Sequence, residues 1–380
     1  MNTHDRVEPS DVMLMAIEVS AHKWLVGFTN DSRQLQHEVR AWDVPGLLAG
    51  VARARHELGY APDAEARCCY EAGRDGFSIH RMLEAHGIRN WVLDPASIEV
   101  ERRRRRRKTD RIDLKKLLAL HVRHAFYGQT EGWHWVHVPS IEAEAEMRPQ
   151  REHETVQGER TRHVNRIRSL LALKGTCVRG VRGIDPAALR DWNGQPLPVT
   201  FQQQITRELE RLELLDRQVR DIEAEQRRRM RAQATRTDEI AWRLYQLRAI
   251  GLQVALVLAT EFFSWRAFKN TGEVSGLSGF CGTPYSSGEM WHDQGISKAG
   301  NRHVRRVMIQ VAWLWLIWQR HSALTRWFHE RTAQGGARAR RRMIVALARK
   351  LLVALWMYSE HGIVPDGAVM KGMRGGMLAA

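Results

Sequence analysis

Cysteine is scarce and long apolar runs are missing. Four cysteines (Cys68, Cys69, Cys177, Cys281) occur in 380 residues, and no two form a C-x-x-C pair. That spacing excludes a zinc knuckle and a disulfide framework, and it fits a reducing cytoplasm. The longest apolar stretch, Val307–Trp318, is interrupted by Gln310 and flanked by arginines. It is too short to cross a bilayer and predicts a buried helix. The N-terminal sequence MNTHDRVEPSD is polar, so no signal peptide is expected. Acidic residues are in deficit: 43 Asp+Glu face 59 Lys+Arg, a formal charge of +16. Such a surplus points to phosphate, as DNA or RNA, with an anionic membrane surface as the competing partner.

What is abundant is arginine. Arg102, Arg103, Arg104, Arg105, Arg106, Arg107 and Lys108 run straight into Thr109-Asp110-Arg111-Ile112-Asp113. Asp110 and Asp113 stand three apart and share one face of a helix. Either the run is a solvated basic face with aspartates as counter-ions, or the two acids belong to a site that meets a polyanion.

The first third alternates strand and helix patterns. Met13–Val19 and Trp24–Phe28 read as a hairpin, Arg67–Tyr70 and Trp91–Leu93 as further strands. Pro45–Leu58, Gly76–His86 and Asp110–Phe126 read as helices. The expectation is a mixed α/β layer over 1–150. Residues 151–237 are charged and helical in pattern. Ile205, Leu209, Leu212, Leu215, Val219 and Ile222 form a heptad-like stripe, and Gly175–Pro198 breaks the segment. An antiparallel hairpin follows, serving as a dimerisation arm or packed as a solvated helix pair. Residues 238–380 predict an all-α domain with a glycine-rich loop from Asn270 to Gly300. In that domain Trp313, Trp315 and Trp318 are expected in the core rather than as base-stacking platforms.

Glu18 sits near the end of the first strand and Glu71 just past the fourth. Carboxylates at neighbouring strand ends, joined by Asp110 and Asp113 on a packed helix, can hold two divalent cations for phosphodiester chemistry. Hard oxygen ligands favour Mg²⁺, with Mn²⁺ as substitute. Acidic residues at strand ends and helix starts are, however, common as caps, and from spacing alone the cap is the commoner case. Pro284-Tyr285-Ser286-Ser287-Gly288 has ordinary turn chemistry. Lys298, Arg302, Arg305 and Arg306 surround a helix start and suit phosphate, or simply solubilise that turn.

Several strings occur in order along nearly the whole chain: CYEAGRDGFSIHRMLEAHGI (Cys69–Ile88), RRRKTDRID, RTRHVNRIRSLLALKG (Arg160–Gly175), GTPYSSGEMWHDQGISKAGNRHVRRVMIQVAWLWL (Gly282–Leu316), HSALTRWFHER (His321–Arg331) and IVALARKLLVALW (Ile344–Trp356). In combination they resemble the insertion-sequence 110 family of transposases, recombinases guided by a bridge RNA. The resemblance implies an RNase H-like (RuvC-like) N-terminal domain, a helical coiled-coil arm and an all-α C-terminal transposase domain. It implies a DEDD tetrad at Glu18, Glu71, Asp110 and Asp113, with Glu18 in place of the usual aspartate. It implies a nucleophilic serine before the glycine of the S-G motif, which aligns with Ser287, Ser286 being one residue away. A site shared between protomers belongs to the same picture. Leu247-Arg248-Ala249-Ile250-Gly251 stands where relatives read L-R-G-I-G, a helix-hairpin-helix-like turn. The expected partners are DNA, a structured noncoding guide RNA and further copies of the chain, as dimer or tetramer, with no membrane. Two alternatives are a resolvase-like nuclease that uses the acids and water, and a decayed element protein that binds nucleic acid without cutting.

Overall fold

A strand that is apolar at almost every position can persist only when both of its faces are covered. β1 (Val12–Val19, VMLMAIEV) is such a strand, with residues 12–17 all buried. The computed structural model describes residues 6–95, 110–287 and 290–372, without the side chains of 284–287 and 290–294. The run from Arg102 to Lys108 lies outside the described residues.

β1 pairs antiparallel with β2 (Lys23–Thr29), which pairs antiparallel with β3 (Gln34–Arg40). After α1 (Val44–Leu58), β4 (Glu65–Glu71) returns parallel to β1, and after α2 (Ser78–Ala85), β5 (Arg89–Leu93) adds parallel to β4. The sheet order is β3-β2-β1-β4-β5. α1 starts where the Asp43 side chain accepts from the Gly46 amide at 3.0 Å. It ends at Gly59, whose φ of 83° is the left-handed cap that glycine takes without strain.

Side chains alternate across a strand, so the two faces of the sheet have separate cores. Met13, Met15, Ile17, Cys68 and Tyr70 pack with Leu47 and Val51 of α1 and Ile79 and Leu83 of α2. Ala16 and Cys69 face the other way, against Leu114, Leu117 and Leu118 of α3 (Asp110–Ala125). Gly27 lets that helix approach, because a Cβ there would lie 2.4 Å from Leu118 Cδ1. These elements form one compact unit, Met1–Val138.

The second unit is Pro139–Ala380. It opens with α4 (Ile141–Ala172), which starts ten residues before the expected Arg151. Pro149 lies just before that expected start. The Ser140 side chain caps the helix earlier by accepting from Ala143 N at 3.1 Å, and the proline is carried inside. α5 (Val199–Ala232) runs back along α4. Arg160–Asp216 at 2.6 Å and His153–Glu223 at 3.2 Å fix the antiparallel register. Of the predicted stripe, Ile205, Leu212, Leu215 and Val219 are buried. Glu208 joins them, held by His163 at 2.5 Å and Arg166 at 3.2 Å. Burial raises its pKa, but these hydrogen bonds outweigh burial and hold the carboxyl below its ordinary value.

α6 (Arg236–Tyr245) and α7 (Leu252–Leu258) flank the L-R-A-I-G turn, and α7 continues into a π-helical turn, Ala259–Phe263. Ala249 keeps the conformation that a glycine would take, with φ 75°. Tertiary contacts hold it there: Arg248 N donates to Val369 O at 3.0 Å and Gln319 Nε2 to Arg248 O at 2.9 Å. An L-residue in this region costs about 1–2 kcal/mol, part of which glycine returns as unfolded-chain entropy. Ala249→Gly is therefore expected to stabilise the unit by about 0.5–1 kcal/mol, read as a melting midpoint a few degrees higher.

α8 (Thr271–Leu277) is followed by a two-stranded antiparallel sheet, β6 (Gly282–Ser287) and β7 (Met290–Ile296). The expected glycine-rich loop and all-α domain are corrected here. Gly282, Pro284, Gly288 and Gly295 read as breakers, yet the register shift between Gly282 and Pro284 accommodates the proline within the pairing. α9 (Arg302–Trp318), α10 (Ala323–Thr332) and α11 (Ala337–His361) complete the helical core. Trp315 is fully buried, but Trp313 and Trp318 are 42% and 56% exposed, which corrects the expectation that all three lie in the core. Among the described residues no helix is long and apolar enough to cross a membrane.

Candidate functional site

The first set of acids is placed by strand alternation. Ile17 pairs with Tyr70 across parallel β1 and β4, so Glu18 and Glu71 come next to each other at the same end of the sheet. Neighbouring strands lie about 4.8 Å apart. Glu18 is two residues beyond Ala16 and Glu71 two beyond Cys69, so both fall on the face that α3 covers.

α3 runs antiparallel to β1. His121 Nδ1 lies 3.0 Å from Met15 O, Cys69 Sγ lies 3.8 Å from Leu117 O, and Leu114 packs beside Ala16 and Cys69. Going back eight residues from His121 climbs about 12 Å along the helix. Going forward three residues from Met15 climbs about 10 Å along the strand. The first turn of α3 therefore comes level with Glu18. Asp110 lies four and seven residues before Leu114 and Leu117, and Asp113 four before Leu117, so both stand on the sheet side of the helix. Asp110 is exposed, and Asp113 Oδ1 meets Lys116 Nζ at 3.8 Å.

Glu18 and Glu71 line a cleft of about 320 Å³, together with Ser20, Arg74 and Asp75. Arg74 Nη2 bonds Asp75 Oδ1 at 3.3 Å. The last two were not singled out in the sequence, although the G-R-D-G turn directly after Glu71 is the signal that could have found them. Among the described residues no three His, Cys, Asp or Glu are gathered tightly enough to hold a metal ion. The register of β1 and β4 thus brings Glu18 and Glu71 together at the cleft, while Asp110 and Asp113 do not line it.

The second set belongs to the other unit. Ser286 and Ser287 end β6, where they pair with Trp291 and Met290 of β7. Past β7 the chain returns to α8: Lys298 N donates to Gly279 O at 3.2 Å and Asn301 N to Leu277 O at 2.9 Å. Gly300 is obligatory in this turn, because its φ is 79° and a Cβ would lie 2.1 Å from Leu277 O. Asn301 caps α9, its Oδ1 accepting from His303 N at 2.9 Å and Val304 N at 3.1 Å.

The four predicted phosphate cations fare differently. Lys298 and Arg302 are exposed. Arg306 is exposed and bonded to Glu154 Oε1 at 2.6 Å. Arg305 turns inward, Nη1 donating to Ser278 O at 3.0 Å and Ala299 O at 3.2 Å.

What fixes this helix start is a residue that sequence reasoning missed. Glu261, in the π-helical turn, is buried and takes a two-point bond from Arg151 of α4, Nε to Oε1 at 2.7 Å and Nη2 to Oε2 at 3.0 Å. Its Oε2 also accepts from Asn301 Nδ2 at 3.2 Å, so one carboxylate ties the hairpin to the cap of α9. A π-turn often marks a functional position. The signal was a single glutamate in the apolar run Leu252–Phe263. Burial would raise the Glu261 pKa, but Arg151 and then Asn301 outweigh burial and hold it below 4.5.

Arg151→Leu leaves that carboxylate buried without its cation. The expected loss is about 3 kcal/mol, the low end for a broken buried pair because Arg151 is half exposed. A melting midpoint roughly 10 °C lower checks it. A carboxyl whose folded pKa is depressed stabilises above its unfolded value and loses that contribution as pH falls through the folded one. In the variant, burial raises the unpaired carboxyl instead, so the gap between wild type and Arg151→Leu should be widest in neutral to alkaline solution and shrink as pH falls toward and through the ordinary carboxylate range.

The profile of the transposase IS116/IS110/IS902 family matches residues 241–327. The putative transposase y4rJ of Sinorhizobium fredii is 41% identical over 379 residues, covering 94% of this chain and 94% of its own. A second putative transposase of that organism, y4qE, is 25% identical over 73% of this chain and 65% of its own. The transposase for insertion sequence element IS1328 of Yersinia enterocolitica is 26% identical over 33% of this chain and 38% of its own.

Proposed function

The chain belongs to the IS116/IS110/IS902 family of transposases, and on that premise we propose that it cuts and rejoins DNA through a serine nucleophile assisted by an acidic metal site. The observation that supports the acidic half is that Glu18 and Glu71 adjoin at one end of parallel β1 and β4, on the face where Leu114 and Leu117 of the helix that carries Asp110 and Asp113 pack. The five-stranded mixed sheet with helices on both faces supports reading that unit as RNase H-like (RuvC-like).

Glu18 and Glu71 offer hard carboxylate oxygens beside an open cleft, and with Asp110 and Asp113 they would make a donor set of the kind that suits Mg²⁺ or Mn²⁺. When bound there, the ion would neutralise charge on a phosphodiester. The protein's own part is to hold these four carboxylates in register and to present phosphate-binding cations. Lys298, Arg302 and Arg306 beside the α9 cap suit the DNA backbone, and Arg102–Lys108, which precede Asp110 in the sequence, carry the same charge.

Ser287 is assigned the attack. Its Oγ bonds to phosphorus, the hydroxyl proton passes to a base or solvent, and the bond from phosphorus to the leaving deoxyribose oxygen breaks. That oxygen takes up a proton as a free hydroxyl, and a phosphoserine ester keeps the bond energy for rejoining. Target choice lies with base pairing of a structured guide RNA, while the protein reads backbone and shape. The heptad-like stripe is consumed between α4 and α5, so assembly into a dimer or tetramer would use other surfaces of the chain.

The deciding experiment incubates the protein with element-end DNA, guide RNA and Mg²⁺, then denatures it. A protein–DNA adduct that survives denaturation and is mapped to Ser287 is the expected result. Cleaved DNA with free ends and no adduct would assign the water-using nuclease instead. Cleavage seen only with Glu18→Asp would assign a decayed enzyme.

A further inference from the structure

A second cleft of about 390 Å³ lies between the π-helical turn and the end of α11, wholly inside the helical unit. Its walls combine Trp265, Phe268 and Trp356 with Arg236, Arg266 and His361. Phe268 meets the Trp356 ring edge-on at 6.2 Å, and His361 packs on the same ring at 6.2 Å. Trp265 is fixed by its Nε1, which donates to Thr260 O at 2.9 Å.

Arg266 is the unusual member. Its Cζ stands 4.1 Å from the Trp265 ring centre and 5.3 Å from that of Phe262. Nη1 donates to Glu261 O at 3.3 Å, while Nε is buried without a partner. Burial pushes its pKa down to about 10. A guanidinium so desolvated gains strongly from an incoming oxygen acceptor. Glu360 also lines the cleft, but Arg236 Nη2 lies within 3.0 Å of both its oxygens, so the acid is already matched.

Flat aromatic walls and a desolvated arginine match one chemistry: a nucleotide whose planar base carries carbonyl oxygens. The volume suits one nucleotide and excludes a duplex. We propose that this cleft receives a single unpaired nucleobase of the bound nucleic acid, held against the aromatic wall that includes Trp265, with its oxygens facing Arg266. The inference rests on the nucleic-acid reading above and is independent of the cutting chemistry.

The test uses the full chain and two single-stranded probes of about 12 nucleotides, one with bases and one abasic, compared by fluorescence anisotropy. Wild type should prefer the base-bearing strand roughly ten-fold. Trp265→Ala should lose most of that preference while binding the abasic strand unchanged, and Trp265→Phe should restore it. A strand bearing 5-iodouracil should crosslink to the peptide around Trp265. Undiminished preference in Trp265→Ala, or crosslinks only elsewhere, overturns the proposal. Equal binding of both strands by wild type sinks the cleft alone, and binding of neither sinks the nucleic-acid reading as well. If Trp265→Ala also loses the abasic strand, a folding defect is indicated, and the exposed His361→Ala decides by the same readout.

Discussion

A Ser287→Ala variant is expected to form no covalent protein–DNA adduct and to lose strand exchange by about 10⁴-fold or more. That is the scale on which removal of a nucleophile acts, since no other group can take its place in the bond-forming step. Binding should survive. Ser287 ends β6, and the pairing of Ser287 with Met290 runs through backbone groups, which alanine keeps. DNA affinity and melting midpoint are therefore expected within error of wild type. Because Ser286 is the preceding strand residue, a residual adduct in Ser287→Ala that vanishes in the double variant would move the assignment by one position. Full exchange in the double variant would end the serine mechanism.

Glu71→Gln should lower DNA cleavage on the order of 10³-fold, the effect of losing several kcal/mol of charge stabilisation at a metal-assisted phosphodiester. The substitution keeps shape and removes one negative charge. Glu71 is exposed at the end of β4, so the fold should be unaffected. Affinity for DNA should hold or rise slightly, because a carboxylate near phosphate repels it. The split between lost cleavage and retained binding is the informative readout, since a merely structural glutamate would move both together or neither. Cleavage within ten-fold of wild type would remove Glu71 from the machinery. The same assay on Glu18→Asp measures what the longer side chain at that position costs.

Much of this architecture was legible in the chain because local periodicity carries it. The strands at Met13–Val19 and Trp24–Phe28, the helix from Asp110 and the stripe from Ile205 to Ile222 each follow from a repeat of apolar positions. Boundaries failed where a breaker residue is tolerated by its context. Pro149 inside α4 and Pro284 inside β6 are the two cases. The exposure of Trp313 and Trp318 also escaped, since helical spacing tells which side chains share a face but not what covers it.

For the site the division is similar. The sequence by itself determined that Asp110 and Asp113 share a helix face, that the chain carries a phosphate-seeking charge, and which family it belongs to. Only the tertiary structure decided that Glu18 and Glu71 adjoin on parallel strands under that helix. It alone decided that Glu261 meets Arg151 across 110 residues of chain and ties it to the α9 cap. The reason is physical. Periodicity is a property of neighbouring residues, whereas strand register and a buried charge pair depend on which distant segment arrives, and no local pattern records that.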